Sequence, residues 1–325
     1  MATWPIGKLL FSMGIPAVLS MLIQALYNIV DTIYISQYSQ DAMFAIGLVY
    51  PMQMVGLSLA LGTGVGIGTL VSRRLGEKRK EEAGHVASTG IIIALVHVVL
   101  IILLGIFATK PFLNMYTDRP EIIALGYDYL SIVMIFNFGQ MLSVCFERIM
   151  QAQGNMIIPM ISLIVGAVTN IVLDPIMIFG QFGFPEMGIA GAAIATVIGQ
   201  ILGMCVVAGA AIFGKHEVKF HFKGFKLDLG IVKDIYAVGL PTAIMNMIGS
   251  VTTTLMNGVL VKFSENAVTS LSLYFKLQSF VFMPVFGFNQ GALPILSYNF
   301  GARNKGRYFK TFRLYMISAL VFMTI

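Results

Sequence analysis

Cysteine is scarce in this sequence, and the motifs that usually carry catalysis are absent from it. Its two cysteines, Cys145 and Cys205, have no CxxC spacing, and its four histidines form no cluster at metal-ligand intervals, so we expect no zinc-type centre. No GxSxG, P-loop or HExxH pattern occurs either. These absences predict a protein that is not an enzyme and that needs no cofactor.

Charge is scarce as well, since 11% of the residues are charged and 57% are hydrophobic. A helix needs about 20 mostly apolar residues to cross a bilayer. Eight such segments occur, near 13–36, 45–71, 88–109, 122–150, 157–180, 188–213, 231–261 and 268–296. They are uniformly apolar rather than alternating, which excludes an outer-membrane barrel. The sequence therefore predicts an all-α membrane protein, and a ninth apolar segment begins at Thr311.

The distribution of Lys and Arg predicts the orientation of the chain in the membrane. With a cytoplasmic N-terminus, most of these cations fall in inner loops, whereas Lys110, Arg119 and Lys262 lie outside. The net charge of +6 then reflects topology and attraction to anionic lipid rather than nucleic-acid binding. The first apolar segment has no small-residue cleavage site and is expected to be a retained helix. We expect a multi-pass protein of the cytoplasmic membrane.

An internal repeat divides the chain. When the sequence is shifted by 225 positions against itself, glycines and prolines that fix backbone geometry coincide without a gap, and they include Gly14 with Gly239, Pro16 with Pro241, Gly62 with Gly287, and Gly76 with Gly301. The repeat predicts a six-helix lobe at 1–215, a basic cytoplasmic linker at 216–230 and the first half of a second lobe at 231–325. A complete second copy would extend to about residue 450. The copies should be related by an axis along the membrane normal.

Four segments together resemble the multidrug and toxic compound extrusion (MATE) family of transporters, and the resemblance covers the whole chain. They are MGIPAVLSMLIQALYNIVDTIYI in the first span, QAQGNMIIPM at 151–160, NIVLDPIMIFG at 170–180 and GIAGAAIAT at 188–196. The resemblance implies two pseudo-symmetric six-helix lobes that exchange a cytoplasmic drug for external Na⁺ or H⁺. It also implies that the coupling ion binds to Asp31, Asn170, Asp174, the Thr196 hydroxyl and the Ala192 carbonyl.

Helical spacing independently groups polar residues inside two of the predicted spans. Gln24, Asn28 and Asp31 share one stripe of the first span, and Asn170 and Asp174 lie one turn apart on the fifth. Ionisable groups inside a membrane are costly and usually functional. Two carboxylates in a shielded site can share a proton, and a cluster of oxygens also suits a hard cation. The pattern alone leaves open whether the site takes Na⁺ or H⁺, or whether the groups merely bond helices together.

Two other residues each allow two interpretations. Pro16 removes a backbone hydrogen bond fifteen residues before Asp31, and it is either a hinge of the first span or a kink that packing tolerates. Lys276 lies within the eighth predicted span, and its side chain either reaches the outer interface or faces a cavity of the second lobe.

Three classes of function remain open at this point. A multidrug antiporter for lipophilic or cationic compounds, acting as a monomer, agrees with carboxylates on two spans. A flippase for lipid-linked precursors or polysaccharides would be expected to have a strongly cationic cavity, for which only Lys276 is available within a span. A channel would need a repeated pore-lining ring, which the sequence lacks.

Overall fold

The chain is almost entirely helical in the computed structural model. The structure describes residues 3–220, 227–260 and 265–324; within these ranges, the side chains at 250, 253–254, 257–258, 265–273, 275–277 and 279–281 are not described. The described residues form a short 3₁₀ turn at Gln181–Gly183 and ten α-helices: α1 (Ile6–Tyr38), α2 (Gln40–Gly76), α3 (Lys80–Asn114), α4 (Pro120–Ile135), α5 (Phe138–Ala152), α6 (Ile157–Phe179), α7 (Gly188–Phe213), α8 (Leu229–Leu260), α9 (Glu265–Gly301) and α10 (Lys305–Thr324).

Most of the predicted spans correspond to single long helices. Within the described residues, α1, α2, α3, α6, α7 and the part of α8 up to Gly249 are long and apolar enough to cross a membrane. The fourth predicted span is a bent pair, because α4 and α5 meet at 44° across a short break. Counting that pair as one span gives seven of the eight predicted spans. The eighth falls within α9, and its side chains are only partly described.

The internal repeat is visible in the positions of the helices. Helix α9 begins and ends 225 residues after α2, and α10 begins 225 residues after α3. The turns that follow α2 and α9 also match, since Lys78 and Arg303 have positive φ values of 63° and 53° at equivalent positions. A non-glycine residue in this conformation is uncommon. The two copies therefore adopt the same local backbone as well as sharing sequence.

The two copies pack on each other in a reciprocal manner. Helix α2 packs on α8, and α9, the equivalent of α2, packs on α1, the equivalent of α8. At the ends of α2 and α9, Gly76 lies against the backbone carbonyl of Tyr298, and Gly301 lies against that of Arg73. These two contacts exchange when 225 is added or subtracted. Such reciprocity is what a two-fold axis between pseudo-symmetric lobes requires.

A buried histidine joins three helices at this interface. His97 of α3 hydrogen-bonds through Nδ1 to the Thr63 hydroxyl of α2 at 3.1 Å, and through Nε2 to the Tyr236 hydroxyl of α8 at 2.8 Å. Both ring nitrogens thus have neutral partners, which satisfies the polar imidazole in an apolar setting. The contact explains a histidine among isoleucines and valines as a link between the two copies.

The predicted linker begins after α7 and overlaps the start of α8. The Val218 amide donates to Oε1 of Gln153 at 3.1 Å, and Phe220 packs edge-on against Phe146 of α5. The start of the linker therefore lies against the N-terminal helices. Residues 221–226, in the middle of the predicted linker, lie outside the described residues.

The crossing of α2 and α9 gives a test of the interface. A Cβ at Gly76 or at Gly301 would meet a backbone carbonyl of the other helix, whereas one at Gly47 of α2 would meet nothing within 4 Å. We expect Gly76→Ala and Gly301→Ala each to destabilise the folded protein by about 1–3 kcal/mol. Gly47→Ala should be neutral or stabilising by up to about 1 kcal/mol, because alanine favours helix. Thermal denaturation in detergent compares them, and equal effects at all three positions would contradict the packing described.

Candidate functional site

The site is assembled where α6 and α7 pack backbone against backbone. A Cβ at Gly199 would lie 2.6 Å from the Gly166 carbonyl oxygen, and a Cβ at Gly191 would lie 2.5 Å from the Met177 carbonyl oxygen. Residues without a side chain at these positions allow the two helices to approach closely, as is common between membrane helices. The approach brings side chains of α6 within direct reach of Thr196 on α7.

Asn170 is the centre of the hydrogen bonds at this crossing. Its Nδ2 donates to Oδ1 of Asp174 at 3.1 Å, one turn along α6, and to Oγ1 of Thr196 at 3.2 Å. Asn170 and Asp174 are buried. One amide group therefore fixes both the carboxyl group and the hydroxyl group.

Asp31 completes the group from α1, which packs along α6. The carboxyl groups of Asp31 and Asp174 lie within hydrogen-bonding range of each other. Three oxygens of this cluster are buried and accept no hydrogen bond within the described part of the chain: Asp31 Oδ1, Asn170 Oδ1 and Asp174 Oδ2. Buried polar atoms without partners are rare and need an explanation.

The donor set suits a small hard cation or a shared proton. Carboxylate, amide and hydroxyl oxygens are the ligands that hard cations such as Ca²⁺ prefer, and the three oxygens without partners are available for that purpose. Alternatively, one proton between two facing carboxyl groups would remove the repulsion between them. Ala192 is fully buried on α7, one turn before Thr196, where the resemblance places it. Both Na⁺ and H⁺ fit this arrangement.

The other predicted residues differ in where they lie. Gln24 lines a cavity that reaches Asn170 and Thr196. Asn28 has an exposed side chain, and the structure does not bring it together with the carboxyl groups. Pro16 lies inside the continuous helix α1, where its carbonyl oxygen accepts a hydrogen bond from Ser20 Oγ at 2.8 Å. The Lys276 side chain lies outside the described residues.

Several residues near the carboxyl groups are missing from the predicted set. The phenol groups of Tyr27 and Tyr129 interact electrostatically with Asp31 and Asp174, and Tyr129 also lies within hydrogen-bonding range of Gln53. Tyr27 is one turn before Asp31 on the same helix, a spacing that could have identified it. Tyr129 and Gln53 come from α4 and α2, and no local pattern in the sequence connects them to Asp31.

The cavity runs from Asn170 and Thr196 along α1, α5, α6 and α7, and includes Gln290 of α9. Its volume is about 180 Å³, which is below the roughly 300–1,000 Å³ of usual drug-sized sites. A drug-sized ligand therefore requires the helices to move apart. Glu147 and Arg148 of α5 line the same cavity. The sequence analysis assigned Arg148 to the loops only, so its place in the cavity is a finding of the structure.

Comparison with known families identifies the class of protein. The MatE family model matches residues 16–176 and 241–325, which together are more than half of the chain. The two matched ranges begin 225 residues apart, at the equivalent prolines of the repeat. The chain belongs to the MatE family, and it is a multi-pass membrane protein.

Individual relatives agree with this assignment. The chain is 24% identical over 326 residues to an FAD transporter of Shewanella oneidensis, covering 99% of this chain and 71% of that protein. It is 27% identical over 304 residues to the multidrug export protein MepA of Staphylococcus aureus, covering 93% of this chain and 66% of MepA. The chain thus spans about two thirds of the length of these relatives.

A solved structure shows the same fold. A MOP superfamily transporter from Pyrococcus furiosus superposes with a TM-score of 0.92 at 25% sequence identity, covering 98% of this chain and 70% of that structure. The prediction of an all-α bundle with MATE-like, pseudo-symmetric lobes is confirmed.

The Asn170 amide gives a test of the cluster. Asn170→Ala removes the donor that holds Asp174 and Thr196, and leaving buried polar groups without a partner costs about 1–3 kcal/mol. We expect this variant to unfold at a lower temperature in detergent than the native protein. Asn28→Ala is the matched control, because its amide is exposed and surface changes usually stay within about 0.5 kcal/mol. The interpretation fails if both variants melt at the same temperature.

Proposed function

We propose that this protein exports cytoplasmic organic compounds in exchange for external Na⁺ or H⁺. The observation that carries the proposal is the buried pair Asp31 and Asp174, fixed by Asn170 and surrounded by oxygens without partners. The relative MepA, a multidrug export protein, supports drugs as substrates. The relative from Shewanella, an FAD transporter, makes flavin nucleotides the second class to test.

The proposal includes the arrangement of the protein in the cell. The chain acts as a monomer in the cytoplasmic membrane with its N-terminus in the cytoplasm, and residues 1–215 and 231–325 belong to two lobes that move against each other. The reciprocal contacts of α1 with α9 and of α2 with α8 support this division. Rocking of two repeats around a central site is a common mechanism of secondary transport. In it, Pro16 acts as a hinge of α1.

The flippase alternative receives less support from the cavity. Among the described lining residues, the charged side chains are one acid and one base, Glu147 and Arg148. A cavity for phosphate headgroups would need a clear excess of positive charge. The balanced charge favours the export of small organic molecules over the transfer of lipid-linked precursors.

Ion-driven transport in liposomes tests the proposal. We expect the reconstituted protein to move ethidium when a Na⁺ or an H⁺ gradient is imposed, each gradient being applied alone. The double variant Asp31→Asn, Asp174→Asn should lose at least about 90% of this transport, because neither a cation nor a transferable proton can be held by the amides. The measurement is the initial rate of change of ethidium fluorescence.

A matched acidic residue provides the control. Asp41 at the start of α2 is exposed and pairs with Arg119 at 3.2 Å, and exposed pairs contribute at most about 1 kcal/mol. Asp41→Asn should therefore transport ethidium at the native rate. Undiminished gradient-driven transport by the double variant would show that the coupling ion binds elsewhere.

A further inference from the structure

Glu147 and Arg148 form a charged pair at the inner end of the cavity, apart from the coupling carboxyl groups. Glu147 lies within hydrogen-bonding range of Ser162 on α6, and Ser162 is twelve residues before Asp174. A helix rises 1.5 Å per residue, so the two positions are separated by about 18 Å along α6. The pair is thus too distant to bind the same ion as Asp31 and Asp174.

The hydrogen bonds of the pair go to neutral groups. Ser143 Oγ donates to Glu147 Oε1 at 3.1 Å, and Arg148 Nη1 donates to Gln151 Oε1 at 3.0 Å. Within the described residues, neither side chain lies at salt-bridge distance from an opposite charge. A carboxylate has about four acceptor positions and a guanidinium has five donors, so both groups keep hydrogen-bonding capacity for a ligand.

The neighbouring helix is shaped to hold the arginine in this position. A Cβ at Gly64 of α2 would lie 2.9 Å from Arg148 Cγ, and a Cβ at Gly68 would lie 3.3 Å from Arg148 Cβ. The two glycines leave room for the aliphatic part of the arginine between α2 and α5. Charged groups inside membrane proteins are costly and usually mark substrate or ion pathways, which argues against an accidental placement.

A second, independent feature of the same cavity also indicates a ligand. Gln200 of α7 lines the cavity, and its Oε1 is buried without a hydrogen-bond partner in the described part of the chain. Gln24, Gln140 and Gln290 line the cavity too. Amide groups supply both donors and acceptors. Their presence favours a polar ligand with several hydrogen-bonding groups over a purely apolar one.

We propose that Glu147 and Arg148 form a two-point subsite for zwitterionic substrates. The Glu147 carboxylate binds a protonated amine, and the Arg148 guanidinium binds a carboxylate, a geometry that favours two parallel hydrogen bonds. A substrate with one charge satisfies only one member of the pair and leaves the other desolvated. The inference rests on the proposed export function, since it assigns the recognition of the exported molecule to residues apart from the coupling site.

Equilibrium binding to the purified protein in detergent, without any ion gradient, tests the subsite. The probes are ciprofloxacin, which carries an amine and a carboxylate, and ethidium, which carries only a positive charge. We expect Glu147→Gln and Arg148→Gln each to weaken ciprofloxacin binding about tenfold or more, because each removes one charge-assisted contact. Ethidium binding should weaken in Glu147→Gln, but it should stay the same or improve in Arg148→Gln.

Conservative variants separate recognition from folding. Arg148→Lys and Glu147→Asp keep the charges and should retain more ciprofloxacin binding than the corresponding glutamine variants. If a glutamine variant does not fold, the conservative variant at that position is compared with the native protein: a weakening of ciprofloxacin alone for lysine supports the subsite, and equal affinities for both probes contradict it.

Two results would overturn the subsite. One is a native protein that does not bind ciprofloxacin, and the other is a pair of glutamine variants that change the affinities for both probes by the same factor. Since binding is measured without a gradient, loss of coupled transport with intact probe selectivity would count against the proposed export function and not against the subsite.

Discussion

Close contact between the backbones of α6 and α7 is the interaction on which the candidate site depends. Lipid gives no hydrophobic advantage to helix association, so membrane helices rely on close packing and on hydrogen bonds between them. Gly166, Gly191 and Gly199 supply the close packing here. The packing sets the distance at which Asn170 reaches Asp174 and Thr196 with one amide group. A larger residue at these glycines would separate the hydroxyl on α7 from the carboxyl group on α6.

Much of this arrangement could be predicted from the sequence, because a charge within an apolar run is a strong signal. Asp31, Asn170 and Asp174 were found in this way, and the structure brings them together. Asn28 was included by its approximate helical spacing and is exposed. The geometry explains the difference: at 3.6 residues per turn, Gln24 and Asp31 point within about 20° of each other, whereas Asn28 is turned by about 60° from Asp31.

The residues that sequence reasoning missed depend on tertiary contacts. Tyr129 and Gln53 reach the site from α4 and α2, and their spacing in sequence carries no information about that approach. Arg148 lies near the end of α5, where a cation usually indicates a cytoplasmic boundary. Only the bend between α4 and α5, together with the room left by Gly64 and Gly68, places it in the cavity.

The distance between the two ends of the cavity restricts how substrate and ion can influence each other. Two unit charges about 18 Å apart interact by only about 1 kcal/mol at an effective dielectric constant of 20. Direct repulsion would change the affinity for a substrate by a factor of about five. Strict exchange therefore needs coupling through two conformations of the helices. Helix α6 is suited to this role, because it carries Ser162 beside Glu147 at one end and Asp174 beside Asp31 at the other.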